Sequence, residues 1–207
     1  MPSHSLSKLL CLFSFTSFFL TATCLADELP QDTLQPPVLL NAETYGVKNG
    51  LSQNTVTSFT EDNDGYMWFG TLNGLNRFDG KDFKHFYAND SNGLENSFIR
   101  SLIFTEKFGG LLIGTDSGLY TYKKDIEHFV KTDIKEKIVS MDANDKYLII
   151  STKDSTYKLS NINTILEEKK FISNDIKKQL IIDNTIYTLC HSGILYADQR
   201  EIETGIT

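Results

Sequence analysis

Residues Leu51–Phe86 read LSQNTVTSFTEDNDGYMWFGTLNGLNRFDGKDFKHF, and the turns in this stretch decide the fold. Asp64-Gly65, Asn73-Gly74 and Asp79-Gly80 are hairpin signals, because these pairs accept the positive φ that a tight reversal demands. Between them lie short runs rich in aromatic and β-branched residues. They place strands at Val56–Glu61, Tyr66–Thr71, Leu75–Phe78 and Asp82–Phe86. Four strands joined by turns this short form an antiparallel meander.

The stretch then recurs. Leu51 and Val56 return as Leu94 and Ile99, and Gly70-Thr71-Leu72-Asn73-Gly74-Leu75 returns as Gly114-Thr115-Asp116-Ser117-Gly118-Leu119. His85-Phe86 aligns with His128-Phe129, and Trp68 becomes Leu112. Weaker copies follow. Ile138–Met141, Tyr147–Thr152 and Ser155–Leu159 form one, with Asp154-Ser155 at a turn. Gln179–Ile182, Thr185–Leu189 and Gly193–Tyr196 form the next, with Ser192-Gly193 at a turn. Ile162–Phe171 fits a short amphipathic helix or an outer strand with its loop, and the period favours the strand.

A period of about 40 residues with four strands per unit predicts an all-β fold of β-propeller blades. Each sheet has two faces to bury and must stack on its neighbours. The blades fall at about 51–93, 94–135, 136–175 and 176–207, an incomplete array of about four. Val38–Val47 is expected to be a spare outer strand that completes the last sheet of a ring.

The first 26 residues carry one charged side chain, Lys8, followed by an apolar run from Leu9 to Leu25 that ends in Cys24-Leu25-Ala26. This pattern predicts a cleaved secretory signal peptide at 1–26, ahead of an uncleaved anchor or a lipid on Cys24. Residues 27–37 hold three of the four prolines and read as a polar leader before the repeats of 38–207. The chain has 207 residues and a formal net charge of −7, which excludes the positive field a nucleic-acid partner needs. Cys190 is the one cysteine beyond the signal, so no disulfide or paired-cysteine metal site can form in the mature chain.

The pattern N-x-V-x-S-[apolar]-x-E-D-x-D-G-x-[apolar]-W-[apolar]-G-T-x-x-G-L-x-R-[aromatic] resembles the two-component regulator propeller repeat. It is carried by Asn54, Val56, Ser58, Glu61, Asp62, Asp64, Gly65, Trp68, Gly70, Thr71, Gly74, Leu75, Arg77 and Phe78. The resemblance implies a periplasmic sensor region of a hybrid histidine kinase or diguanylate cyclase. In that plan a β-sandwich, a membrane helix and an output domain follow the propeller, and the full-length sensor can dimerise. Against it, this chain reads as an N-terminal piece that stops part-way through its fourth blade. The ligand implied is a small polar molecule such as a saccharide, with membrane contact only through the missing part or an uncleaved signal. The alternative is a stand-alone envelope scaffold that binds another protein.

No arrangement of nucleophile, base or metal ligands is present, so no enzyme activity and no cofactor are expected. Glu61-Asp62-Asn63-Asp64-Gly65 fails as a calcium loop at both ends and reads as a capped turn. Trp68 reads as packing between blades rather than a stacking platform. His85 and His128 lie on neighbouring blades, too far apart to share a metal. His191 faces away from Cys190, which reads as a small buried hydrophobe. The inner rim after the first strand of each blade is the expected ligand surface, and Asn54 and Arg100 are its polar candidates.

Overall fold

Residues 43–153, 155–160, 167–170 and 175–202 are described by the structure, a computed structural model. The expected signal, leader and first half of the spare strand lie outside them. Within them, the meander expected from the turns is present four times. The first sheet is β1 (Val56–Glu61), β2 (Met67–Thr71), β3 (Gly74–Phe78) and β4 (Phe83–Phe86). The second is β5 (Ile99–Thr105), β6 (Gly110–Thr115), β7 (Gly118–Lys123) and β8 (His128–Lys131). The third is β9 (Ser140–Ala143), β10 (Leu148–Ser151), β11 (Ser155–Leu159) and β12 (Glu167–Lys170). The fourth is β13 (Ile176–Ile182), β14 (Thr185–Cys190), β15 (Leu195–Ala197) and β16 (Arg200–Ile202). In every sheet consecutive strands pair antiparallel and in sequence order. The fourth sheet therefore has all four strands, where the sequence reading ended it early.

The spare outer strand is not seen where it can be checked. Glu43–Gly46 are coil and Val47–Asn49 form a 3-10 turn. Asn49 folds its side-chain oxygen back onto the Gly46 N–H at 3.1 Å, which supports a local turn in place of a ladder. Of Ile162–Phe171, Glu167–Lys170 form β12, the outer-strand alternative, and the remainder lies outside the described residues.

First strands pack on first strands. β1 lies against β5, β5 against β9 and β9 against β13, so these are the innermost strands of consecutive blades. Side chains of one blade accept the outward backbone N–H groups of the next. Thr60 Oγ1 takes the Phe104 N–H at 3.2 Å, and Ser101 Oγ takes that of Met141 at 3.2 Å. Ser140 Oγ takes the Gln179 N–H at 3.0 Å, and Asp142 Oδ2 takes that of Ile181 at 2.7 Å. These ties span 44, 40, 39 and 39 residues. The sequence period is thus the step from one blade to its neighbour, and it shortens after the second blade.

The recurrent Gly-Thr has two jobs. A Cβ at Gly70 would lie 2.5 Å from Ile99 Cγ2, and one at Gly114 would lie 2.6 Å from Ile138 Cγ2. Glycine here lets the next blade's first isoleucine approach the sheet. The threonine closes the following turn, with Thr71 Oγ1 donating to the Gly74 carbonyl at 2.9 Å and Thr115 Oγ1 to that of Gly118 at 2.9 Å.

Between the first two blades the core is aromatic. Trp68 is fully buried, stacks on Phe86 with centroids 5.6 Å apart and meets Tyr122 edge-on at 5.0 Å. Its indole N–H donates to Asp62 Oδ2 at 2.7 Å. Leu75, Leu102, Ile113 and Phe129 complete the cluster. Between the second and third blades the core is mostly aliphatic, with Leu112, Leu119, Met141, Leu148 and Ile150 buried together beside Phe108 and Tyr157. The outward face of the first blade is open: Phe59 is 67% exposed, whereas its register partner in the next blade, Leu102, is 7% exposed. Leu180 and Ile182 on the fourth blade are likewise exposed.

One alignment made from the sequence is corrected by the pairing. Phe83 faces Phe78 and His85 faces Asn76, whereas Phe129 faces Tyr122 and Lys131 faces Tyr120. Phe83 therefore corresponds to Phe129 and His85 to Lys131. β7 runs one residue longer than β3 and is followed by a 3-10 turn at Lys124–Ile126, which moves the His-Phe pair three positions along the outer strand.

Candidate functional site

Two places concentrate polar groups without being simple turns. One is the rim where the innermost strands begin. Asn54 precedes β1 and Arg100 is the second residue of β5, so both candidates lie before or at the start of a first strand rather than after it. Asn54 is exposed and accepts the Val47 N–H at 2.9 Å, which ties down the preceding 3-10 turn. Arg100 is half-buried and grips Asp116 in a two-point fork, Nε to Oδ1 at 2.6 Å and Nη2 to Oδ2 at 2.9 Å. Lys137 of the third blade approaches the same carboxylate at 3.4 Å. The Arg100 guanidinium also lies 5.8 Å from the ring of exposed Phe98.

Two cations, Arg100 and Lys137, share the one Asp116 carboxylate at this rim. Hydrogen bonds from Arg100 hold the Asp116 carboxyl below the ordinary carboxylate value, with the charges of Arg100 and Lys137 adding to them. The guanidinium in turn is pushed further toward its charged form. The structure brings Arg100 together with Asp116, Lys137 and Phe98, and it assigns Asn54 to a turn. Asp116 and Lys137 were missed in the sequence because Asp116 meets Arg100 only when the strands of the second blade pair, and Lys137 joins them only when the third blade stacks on it.

The second place lies between the third and fourth blades. Here Gln179 is buried and bonded at both ends of its carboxamide, with one Nε2 hydrogen left over. Its Oε1 accepts from Ser151 Oγ and from Thr156 Oγ1, the latter at 2.9 Å, and its Nε2 donates to Thr188 Oγ1 at 2.8 Å. Beside this network opens a cavity of about 370 Å³. Thr156 and Lys158 line it from the third blade; Gln179, Asn184, Ile186 and Thr188 line it from the fourth. The Asp198-Gln199 turn covers one side. Both of its residues have positive φ, 46° and 69°, the geometry for which Asn-Gly is the low-strain choice. Asp198 Oδ1 accepts the Ile186 N–H at 3.0 Å, fixing that turn to the neighbouring strand.

The remaining sequence candidates are structural. Asp62 Oδ1 accepts the N–H groups of Asp64 and Tyr66 at 3.0 and 3.1 Å, so the acidic stretch is a capped turn. His85 Nε2 contacts the Gly50 carbonyl at 2.5 Å. Cys190 is buried with Ile176 in the small core of the fourth blade. Among the described residues no three His, Cys, Asp or Glu side chains are placed to hold a metal ion. No helix among them is long and apolar enough to cross a membrane.

With this geometry in hand, the first blade can be compared with known families. Residues 50–73, which run from the turn before β1 to the Gly-Thr turn after β2, match the family model described as two component regulator propeller. The chain carries a two component regulator propeller repeat. Solved structures agree on the fold. The regulator-propeller chain superposes with a TM-score of 0.67 on a protein of B. thetaiotaomicron described as the extracellular domain of the hybrid two component system BT3049. The two are 19% identical over 78% of this chain and 26% of that one. A second extracellular domain of that organism, from the system BT4673, gives a TM-score of 0.57 at 23% identity, over 70% of this chain and 21% of that one. The β-propeller domain of Doa1, described as a WD40 propeller, gives 0.54 at 11% identity, over 73% of this chain and 55% of that one. The regulator-propeller chain thus spans about a quarter of the length of the two extracellular domains. No curated protein matches it.

Proposed function

We propose that this chain is the ligand-sensing propeller region of an exported bacterial signal-transduction protein and works in the periplasm. The observation that carries the reading is the regulator-propeller repeat at 50–73, set in four stacked blades. The resemblance of the fold to extracellular domains of two-component systems supports it. So does the apolar, nearly uncharged run from Leu9 to Leu25, which has the composition of an export signal. The role needs no catalytic group. A propeller contributes a rigid frame whose loops and blade interfaces hold a small polar ligand, a saccharide in this reading, while membrane passage and output belong to other segments of a sensor.

The full-length natural transcript tests this. The expected outcome is an in-frame membrane helix followed by a kinase or cyclase module. A transcript that encodes neither would overturn the sensor reading. A second reading, an envelope scaffold that binds another protein, is favoured by one observation: the apolar end faces at Phe59 and at Leu180 with Ile182.

A further inference from the structure

The repeat supplies its own control for what each position in a blade interface should be. On the face that looks back to the preceding blade, Phe59 pairs with Phe69, Leu102 with Ile113 and Met141 with Ile150. The fourth blade places Gln179 opposite Thr188 at the same two positions. On the face that looks forward, Gly70 pairs with Leu75 and Gly114 with Leu119. The third blade places Ser151 opposite Thr156 there. Four positions that are apolar or glycine in the earlier blades have become polar, and all four converge on one interface.

Random drift in a weak repeat would scatter polar residues over both faces, mostly toward solvent. Here Ser151, Thr156, Gln179 and Thr188 are all buried. Each has a side-chain partner, so the substitution is concerted rather than a set of isolated defects. Three of them, Thr156, Gln179 and Thr188, line a cavity of about 370 Å³ between the two blades. A polar network beside a vacant volume, in a fold that otherwise packs apolar side chains there, is the mark of a binding site.

We infer that the interface between the third and fourth blades is a ligand site for a small neutral polyhydroxylated molecule of mono- to disaccharide size. The inference rests on the ligand-sensing reading for its biological meaning, but not for its test. The lining sets the class. Three carboxamides (Gln179, Asn184 and Gln199) and two hydroxyls (Thr156 and Thr188) offer donors and acceptors in alternation, which suits adjacent hydroxyl groups. Among the described lining residues one ammonium, Lys158, and one carboxylate, Asp198, balance in charge. Lys158 lies 3.7 Å over the Tyr147 ring, which holds its amine at the cavity wall. Ile186 offers the apolar patch for a sugar's C–H face.

The test is a titration of the ¹⁵N-labelled full chain with glucose, galactose, xylose, maltose and cellobiose, followed through side-chain amide resonances. Glucuronate and glutamate serve as charged counter-probes. The expected result is a saturable shift of the Gln179, Asn184 and Gln199 amide signals by at least one neutral sugar. Asn184→Ala, on an exposed turn where folding is not at stake, should weaken binding about tenfold, the loss expected for one hydrogen bond. Restoring the repeat with Ser151→Gly, Thr156→Leu, Gln179→Leu and Thr188→Ile should abolish it in a folded protein. Overturning results are no shift with any neutral sugar, shifts only with the charged probes, or shifts confined to Arg100 and the rim. Because the readout is binding by the chain itself, its failure leaves the transcript test of the sensor role standing.

Discussion

The interface between the first and second blades and that between the third and fourth are built from opposite materials. In the first, Trp68, Phe86, Tyr122 and Phe129 interlock and exclude water. In the second, Gln179 binds three hydroxyl groups beside a cavity. One backbone tie is common to both: a side-chain oxygen of the innermost strand accepts an N–H of the next blade, Thr60 for Phe104 and Asp142 for Ile181. The difference shows that the side chains between two blades can serve packing or a polar network with the same backbone tie in place.

Breaking the aromatic interface should have the largest effect. Trp68→Ala removes a fully buried indole and should cost about 3–5 kcal/mol, read as a lowered midpoint in urea with little change in slope. Gly114→Ala puts a methyl group 2.6 Å from Ile138 Cγ2 and should cost about 1–3 kcal/mol by overpacking. A loss below about 1 kcal/mol would show that the blades can slide apart slightly.

At the polar interface, Gln179→Ala strands the Ser151, Thr156 and Thr188 hydroxyls in a buried site and should cost about 1–3 kcal/mol. Replacing the surrounding polar residues as well should remove that penalty, and double-mutant analysis of Gln179 with Thr188 should show strong coupling.

The smallest effect is at the rim. Asp116→Asn should cost about 0.2–1 kcal/mol at neutral pH, since the pair with Arg100 is half-exposed. The folded carboxyl titrates below the unfolded value near 3.9. Its contribution is therefore complete above about pH 4 and disappears as pH falls through the lower, folded value. Thermal midpoints of parent and variant should differ at pH 7 and draw together as the solution is acidified below the unfolded value.

The first blade was legible almost residue by residue. Its turns fixed β1 to Val56–Glu61 and the other three strands to within one residue, because Asp-Gly and Asn-Gly leave little choice of register. The export segment and leader were read from composition and lie outside the described residues. What could not be read depended on contacts across blades. The outer strand of the second blade slipped by three positions because a 3-10 turn replaced a two-residue one, and a His-Phe pair happened to match in the wrong register. Arg100 was visible as a polar residue near a rim, but Asp116 and Lys137 reach it from another hairpin and another blade. The polar interface was hidden most deeply. Gln179 and Thr188 look like ordinary strand residues until pairing sets them against Leu102 and Ile113.

The third and fourth blades keep polar residues where the earlier blades hold apolar ones or glycine. The thermal unfolding midpoint of the variant carrying Ser151→Gly, Thr156→Leu, Gln179→Leu and Thr188→Ile tests directly whether the fold needs them there. The account predicts a midpoint equal to or above that of the parent chain, because buried hydrogen-bonded groups replaced together by well-fitting apolar ones lose nothing. A midpoint well below the parent's would contradict it and make the polar network part of what holds the blades together.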